Sequence, residues 1–472
     1  MKAFNLINDR VFILLSVFNV LSAIVIFFIS SGIASGDQAD YLNLASSIAA
    51  GEFSSFSSLE NHYPNNIRTP GYPLFISLVL LLFKELIAVK ITQLILYFIS
   101  LCLWVRILLN LQASMRTIYI FLVLTGLSIQ VSYYSSMIMS ETLTLFFISA
   151  ISLCLFNQHY KRFLRLVIIS ILLGCLVLIK PVFIFLPFIF IPFFAKERNF
   201  RLSRMLVATL LFFTTLSPWI IWNVKNHNIA TPLSAQGSSV LLYTSFWASK
   251  LPGDFKLPKS MFAPIMYDDL FNPFYYLYTN KNKMDAKSEF LREVDEIHFA
   301  LEKYLSPSEK RDIAIMDSTE GIFNTYPSQY VKHRDQLFMQ YFLQNVYEEP
   351  IYYIGTRIYN FNRLFFAGIN PSIIFNKEVS LVKKLRSISI FGVTFFLTFL
   401  TFVVATFFIL KNYQKISNEF LILYSTIIYT IIINVPFPVQ SRYSVPIHLI
   451  IIFLFSIFIS DKKLCFTVSK KG

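Results

Sequence analysis

The stretch RVFILLSVFNVLSAIVIFFIS, residues 10–30, runs directly into SGIASGDQADY, residues 31–41. The first part is uncharged behind Arg10 and matches the ~20 residues a helix needs to cross a bilayer core. The second part turns abruptly polar and carries two carboxylates, Asp37 and Asp40. Small residues at 31–36 resemble a signal-peptidase site, but the apolar run is longer than a typical signal core. It therefore reads as a retained first helix that delivers a polar, acidic segment to the far side of a membrane.

Outward from this stretch the same pattern recurs. Of 472 residues, 55% are hydrophobic and only 14% charged, with 51 Phe and a mean hydropathy of +0.59; an ordinary soluble domain is roughly a quarter charged. A soluble globular fold is excluded, because so much apolar surface cannot be hidden from water. Further apolar segments fall near 72–88, 89–109, 116–131, 140–157, 166–180, 181–195, 205–222, 387–410, 420–434 and 445–460. The weakest is 72–88, which opens Pro-Gly-Tyr-Pro and contains Lys84 and Glu85. If it lies along the outer interface as a juxtamembrane helix, the basic clusters at Lys2 and Arg10, Arg106 and Arg116, Lys161 to Arg165, Lys196 to Arg204, Lys411 and Lys415, and Lys462 to Lys471 all become cytoplasmic, as the positive-inside tendency requires. The expectation is an all-α polytopic bundle of about ten crossings with both termini inside. Its segment 166–195 would be a hairpin broken at Lys180-Pro181.

The chain then divides into 1–222, with a first outer loop at 31–88; a polar stretch at 223–386; and 387–472, ending in a short basic tail. The polar stretch holds 17 acidic and 19 basic residues, a near-neutral outer domain. It reads as helical from the capping-box spacing Ser306-Pro307-Ser308-Glu309 and from apolar periodicity at 284–304 and 328–346. Cys102, Cys154, Cys175 and Cys465 show no metal or disulfide spacing, and the six histidines are scattered. The residues give no indication of a required cofactor or divalent cation, and the sidedness of the charge of +14 points to a membrane rather than to nucleic acid.

On this topology the isolated polar residues bordering apolar segments gather on the outer side. They are Asp37, Asp40 and Tyr41; Arg68 and Tyr72; Tyr133 and Tyr134; Glu141 after Ser140; Lys180; and Arg442 and Tyr443. Each has a plainer reading taken singly. Arg68, Lys84 and Lys90 could snorkel, Glu141 could favour a helix dipole, and Tyr133, Tyr134, Trp219 and Trp222 could be an aromatic belt. Jointly, cations at headgroup depth can hold a lipid phosphate, and a neighbouring carboxylate can take a proton from an incoming hydroxyl.

The order of these motifs resembles the integral-membrane GT-C glycosyltransferases, in particular bacterial relatives of protein O-mannosyltransferases and lipid A aminoarabinose transferases. The likeness rests on Asp37 four before Tyr41, continued by Asn43-Leu44-Ala45 and Gly51; on Arg68 to Pro73; on Ser140-Glu141; on Gly174 through Lys180-Pro181; on Pro218-Trp219 through Gly237; and on Arg442-Tyr443 with Pro446. The chain departs from the family at Gln38, often a second acidic residue, and at Lys180, often Arg.

The resemblance implies inverting transfer of a single sugar from a polyprenyl-phosphate carrier, such as undecaprenyl phosphate, to an acceptor hydroxyl of a glycan, lipid or protein. The setting would be the outer face of a bacterial cytoplasmic membrane, in cell envelope glycan or lipopolysaccharide modification. Asp37 would be the general base with Asp40 in reserve. Arg68, Lys180 and Arg442 would hold the donor phosphate, and Glu141, Tyr41, Tyr72, Tyr133 and Tyr443 would orient the acceptor. The alternatives are a lipid-linked oligosaccharide polymerase or ligase, and a flippase or exporter of lipid-linked sugars.

Overall fold

The computed structural model describes residues 8–30, 37–54, 63–65, 68–157, 161–195, 202–233, 395–436 and 441–467, together with 241, 296, 299–308, 310, 328–351, 353–354, 357 and 364. Most of the expected outer domain, Glu309 of the capping box, the small residues at 31–36 and several basic residues, including Lys196, Arg198, Lys470 and Lys471, lie outside the described residues. Among the described residues the regular elements are all helices, with one isolated β-bridge between Ser54 and Pro64 and no strand.

Helix α1 (Arg10–Ser30) is followed by α2 (Gln38–Ala49), α3 (Gly71–Phe83) and α4 (Leu86–Asn110). Next come α5 (Met115–Gly126), α6 (Ile129–Ser135), α7 (Glu141–Phe156) and α8 (Arg162–Ile179). A 3-10 turn, Pro181–Phe183, leads to α9 (Pro187–Ala195) and α10 (Leu202–His227). After α11 (Ser328–Glu348), a π turn (Phe395–Leu400) opens α12 (Thr401–Asn412), and α13 (Asn418–Asn434), α14 (Val445–Ser460) and α15 (Leu464–Thr467) complete the described chain.

Four of these stretches, starting at Arg10, Leu86, Leu202 and Arg442, are each long and apolar enough to cross a membrane. The pair α5 and α6 together passes the same test but is bent by 60°. Lipid-facing character shows on the outer helices, where Leu14, Phe28, Leu82, Phe188, Leu210 and Phe407 remain largely exposed. In contrast α14 is apolar on every side and buried on nearly every side, the signature of a central helix. Phe453 on α14 stacks on Phe420 and meets Phe156 and Trp104, while the Trp104 indole N–H donates to Ser149 Oγ at 3.0 Å. This is a multi-pass helical membrane protein.

The bundle has two chemically distinct ends. At one, Asp461 after α14 accepts from the Ser114 N–H and the Thr117 hydroxyl at the start of α5. Asp9 ahead of α1 accepts from Tyr119, Arg165 of α8 donates to Leu155 O at the end of α7, and the Ser417 N–H donates to Cys465 O. These contacts lie beside the basic clusters Arg10, Arg116, Arg165 and Lys462-Lys463. The opposite end carries the isolated polar residues singled out above.

Three local expectations need correction. The segment 31–88 is not a loop with one juxtamembrane helix, because α2 and α3 are separate helices within it. At ~1.5 Å per residue α3 reaches only ~20 Å, too short for a ~30 Å core; it ends at Lys84, whose φ of 59° breaks the path into α4. The stretch 132–140 between two apolar segments, which reads as a short outer loop, is helical as far as Ser135, where α6 ends, and turns only over 136–140. Lys90, expected to snorkel, is buried on the packed face of α4 with Val89 and Gln93. The break at Lys180-Pro181 falls where the proline predicts it, because proline fixes the first residue of the following turn and has no N–H to continue α8.

Candidate functional site

Asp37 is the N-cap residue of α2, a position where an Asp side chain normally accepts from the first free N–H groups of its helix. Here it makes no such cap. Its Oδ1 accepts from Arg68 Nη2 at 2.8 Å, and its Oδ2 accepts from Arg442 Nη1 at 2.6 Å. The same Arg68 nitrogen donates to Asp40 Oδ2 at 2.9 Å. A carboxylate has thus given up its local partner for two guanidiniums, one of them 405 positions away.

The chain of ion pairs continues through Glu141, the first residue of α7. Its Oε1 accepts from Lys180 Nζ at 3.0 Å and lies 3.9 Å from Arg442 Nε. Lys180 caps the end of α8 in an extended conformation, which releases its side chain from the helix face. The Glu141 side chain is only 3% exposed, and its Oε2 is buried with no hydrogen-bond partner among the described residues. Three carboxylates and three cations from separate segments therefore meet in one partly buried cluster that is neutral overall.

Aromatic rings line this cluster. Arg68 lies over the Tyr41 ring at 5.2 Å, and Lys180 and Arg442 lie over the Tyr443 ring at 5.3 and 5.4 Å, distances at which a ring face attracts a cation. Tyr41 meets Tyr72 edge-on at 4.7 Å, and Tyr72 donates to Gln93 Oε1 at 2.5 Å. Tyr133 lies on α6, packed edge-on to Tyr134 at 5.3 Å.

Packing explains how distant segments reach one place. Gly71, at the start of α3, abuts the end of α8; a Cβ there would sit 2.6 Å from Leu178 O and 2.8 Å from Ile179 N. Only a residue without a side chain lets the Arg68-Thr69-Pro70 approach run against the turn that presents Lys180. Gln93, which the sequence reading passed over, joins Tyr72 to the carbonyls of Ser135 and Met137, so that α3, α4 and α6 are tied at this end. Its signal was present as an amide within an otherwise apolar span, a position where polar groups are costly. Met139, whose sulfur lies 3.7 Å from Arg442 Nη1, gave no sequence signal.

Electrostatics follow from the geometry. Burial alone would raise the Asp37 carboxyl, but Arg68 and Arg442 outweigh it and hold the group well below the usual carboxylate range. Burial pushes the Tyr41 hydroxyl up to about 12, so it stays protonated and able to donate. Both Asp37 oxygens are engaged, so a guanidinium must leave one of them before that oxygen can accept from another group.

No family model matches the chain, and no curated protein matches it. Among solved structures, two similar to it are of ArnT from Cupriavidus metallidurans. The structure bound to undecaprenyl phosphate is 12% identical and aligns over 93% of this chain and 76% of that one, at a TM-score of 0.34. The apo structure is 13% identical and aligns over 94% and 77%, at a TM-score of 0.33. The superposition is loose, and the assignments below rest on this chain's own residues.

Proposed function

We propose that this protein is a membrane-embedded inverting glycosyltransferase of the GT-C type, moving one sugar from a polyprenyl-phosphate carrier to an acceptor hydroxyl. The observation that carries the reading is the Asp37-Arg68-Arg442-Glu141-Lys180 cluster. It combines a base, anion-binding cations and a spare carboxylate oxygen at one end of an apolar bundle. The proposal includes about ten crossings, the 1–222, 223–386 and 387–472 division, and placement of the cluster on the outer face of the cytoplasmic membrane.

The cluster has no surplus positive charge, so a donor phosphate must bind by re-partnering cations already engaged. Arg442 and Lys180 turn to the phosphate, while Arg68 keeps Asp40 through its Nη2 and presents its remaining N–H groups to the phosphate. This frees Asp37 Oδ2. The acceptor O–H gives its proton to that oxygen as the acceptor oxygen bonds to the anomeric carbon. The bond from that carbon to the phosphate oxygen breaks on the opposite face, and its electrons stay on the lipid phosphate, where Arg442, Lys180 and Arg68 stabilise the developing charge. Glu141 Oε2 accepts from another hydroxyl and orients the substrate, and Tyr41, Tyr72 and Tyr443 wall the sugar. Tyr133 is assigned to the acceptor approach.

The test uses full-length protein in membranes with a polyprenyl-phosphate sugar, a polyprenyl-diphosphate oligosaccharide, or a labelled lipid-linked sugar for translocation. A new glycosidic bond from the monophosphate donor alone is the expected result. Bond formation only from the diphosphate donor would favour a polymerase or ligase, and translocation without bond formation a flippase; either overturns the proposal.

A further inference from the structure

Gln93 stands on the packed face of α4, with Tyr97 and Trp104 one and three turns further along, and all three are fully buried. A carboxamide in an apolar span is costly unless its polar groups are used, and this one is engaged on both sides. Its Oε1 accepts from the Tyr72 hydroxyl, and its Nε2 donates to Ser135 O at 3.3 Å and to Met137 O. Carbonyl oxygens only accept, so the amide has a single workable orientation and the Tyr72 hydroxyl must donate to it. Tyr72 is itself fully buried. Its hydroxyl proton is therefore committed to Gln93 and does not serve the substrate.

These bonds lead to both halves of the ion cluster. On one side Tyr72 meets Tyr41 edge-on, and Tyr41 carries Arg68 over its face. On the other side Met137 lies in the turn between α6 and α7; Met139, two residues on, places its sulfur against Arg442, and Glu141, which opens α7, holds Lys180. None of the Gln93 bonds goes to an ion. The plainer reading is a capping amide, since Ser135 ends α6 and leaves a carbonyl without a helical partner. That accounts for one bond and leaves Tyr72 and Met137 unexplained. Asn19 shows what an amide that only pairs helices looks like in this bundle. It is also buried, donates to Leu15 O and Leu122 O and accepts from the Thr125 hydroxyl. Those partners all lie on α1 and α5, which carry no member of the cluster.

We infer that Gln93 is a positioning residue for the transfer reaction: its amide sets the gap between Arg68 on one side and Arg442 and Lys180 on the other, across which the donor phosphate must be gripped. The role rests on the transfer reading. A phosphate held from two sides tolerates little change in that gap, and misplacement by about 1 Å can cost about 10²-fold in rate. The loss should fall on turnover rather than on donor binding, because charge on the phosphate oxygen grows only as its bond to the anomeric carbon breaks. Tyr72 and Gln93 act through a shared bond, so removing either leaves little for the second change to remove.

In the test, each full-length variant is produced in cells lacking the native protein. Their membranes supply the acceptor, and radiolabelled polyprenyl-phosphate sugars extracted from the same cells serve as donor. Initial rates across donor concentration give kcat and KM, and thermal melting reports the fold. Gln93→Met should lower kcat about tenfold or more while the donor KM stays within about threefold. Tyr72→Phe should lower kcat by less, and the double variant should match Gln93→Met within about twofold. Asn19→Leu should lower the melting temperature yet keep kcat within about twofold of wild type. Wild-type kcat in Gln93→Met, multiplied losses in the double variant, or an Asn19→Leu that loses turnover as heavily as Gln93→Met would overturn the role. If Gln93→Met does not fold, Tyr72→Phe and Asn19→Leu decide: turnover lost in the first and kept in the second supports the role, and equal turnover overturns it. A wild type that transfers from none of these donors would remove the transferase reading and this role with it, whereas wild-type transfer with an unaffected Gln93→Met would remove the role alone.

Discussion

At the scale of single residues, Asp37 decides most. Asp37→Asn keeps the hydrogen-bonding shape but cannot take a proton, and loss of a general base costs on the order of 10²–10⁴ in rate. Transfer should fall by that much while membrane insertion and melting stay near wild type; retained transfer from a polyprenyl-phosphate sugar would remove Asp37 from the mechanism. Because its two guanidiniums depress the carboxyl, Asp37 stays ionised as pH falls, so kcat/KM should show no Asp37 inflection above about pH 4. Arg68→Lys loosens one of those contacts and should move the acid limb upward, which a pH–rate profile of the two proteins would read. Lys180 behaves differently. Lys180→Ala strands a buried Glu141 carboxylate, and removing one partner of a buried pair typically costs ~3–5 kcal/mol, so stability should fall along with turnover. The double change with Glu141→Gln should recover melting but not activity. A double variant that regains turnover would make the pair structural only.

Among the elements, the short helices near the ion cluster separate what the sequence made legible from what it did not. The long apolar helices and the break at Lys180-Pro181 follow from composition and proline geometry, which act locally. Helix α2 was equally available and missed: Tyr41, Leu44, Ala45 and Ile48 recur at helical spacing, with Asp40 in the first turn and Gly51 after the end. The segment is simply too short and polar to stand out beside membrane spans. The meeting of Asp37 with Arg68 and Arg442 could be expected only from sidedness and family likeness, because no local rule relates positions so far apart. The contact of α3 with α8 through Gly71 was not legible at all. It yields a prediction: Gly71→Ala forces a Cβ onto backbone atoms of Leu178 and Ile179, which cannot swing aside as a side chain would. Overpacking of this kind costs ~1–3 kcal/mol and should displace Arg68 from Asp37, lowering both melting temperature and transfer. Gly51→Ala is the contrast. A Cβ there meets nothing within 4 Å, so the penalty is the left-handed backbone alone, ~1–2 kcal/mol, with the ion cluster undisturbed. Equal losses of transfer in the two variants would show that the close approach at Gly71 has no special role.

For the whole molecule, the proposal depends on the two ends of the bundle facing different compartments. The argument is electrostatic and topological at once. Asp9, Asp461 and Arg165 tie together helix ends flanked by basic clusters, whereas the cations at the other end are matched by carboxylates within the cluster. A bundle with one basic end and one internally neutralised end has a strong reason to insert in a single orientation. In the proposed orientation a lipid phosphate carried in the outer leaflet would meet the cluster at headgroup depth without crossing the apolar core. Glu52, in the segment after α2, and Lys462, after α14, are exposed and belong to opposite ends. In a background lacking the four native cysteines, Glu52→Cys should react with a membrane-impermeant maleimide added to intact spheroplasts, and Lys462→Cys only after the membrane is opened. Labelling of both positions from the same side would place the carboxylates and cations in the compartment of nucleotide sugars, where a polyprenyl-linked donor gives no advantage, and the transferase mechanism argued from this cluster would fail with it.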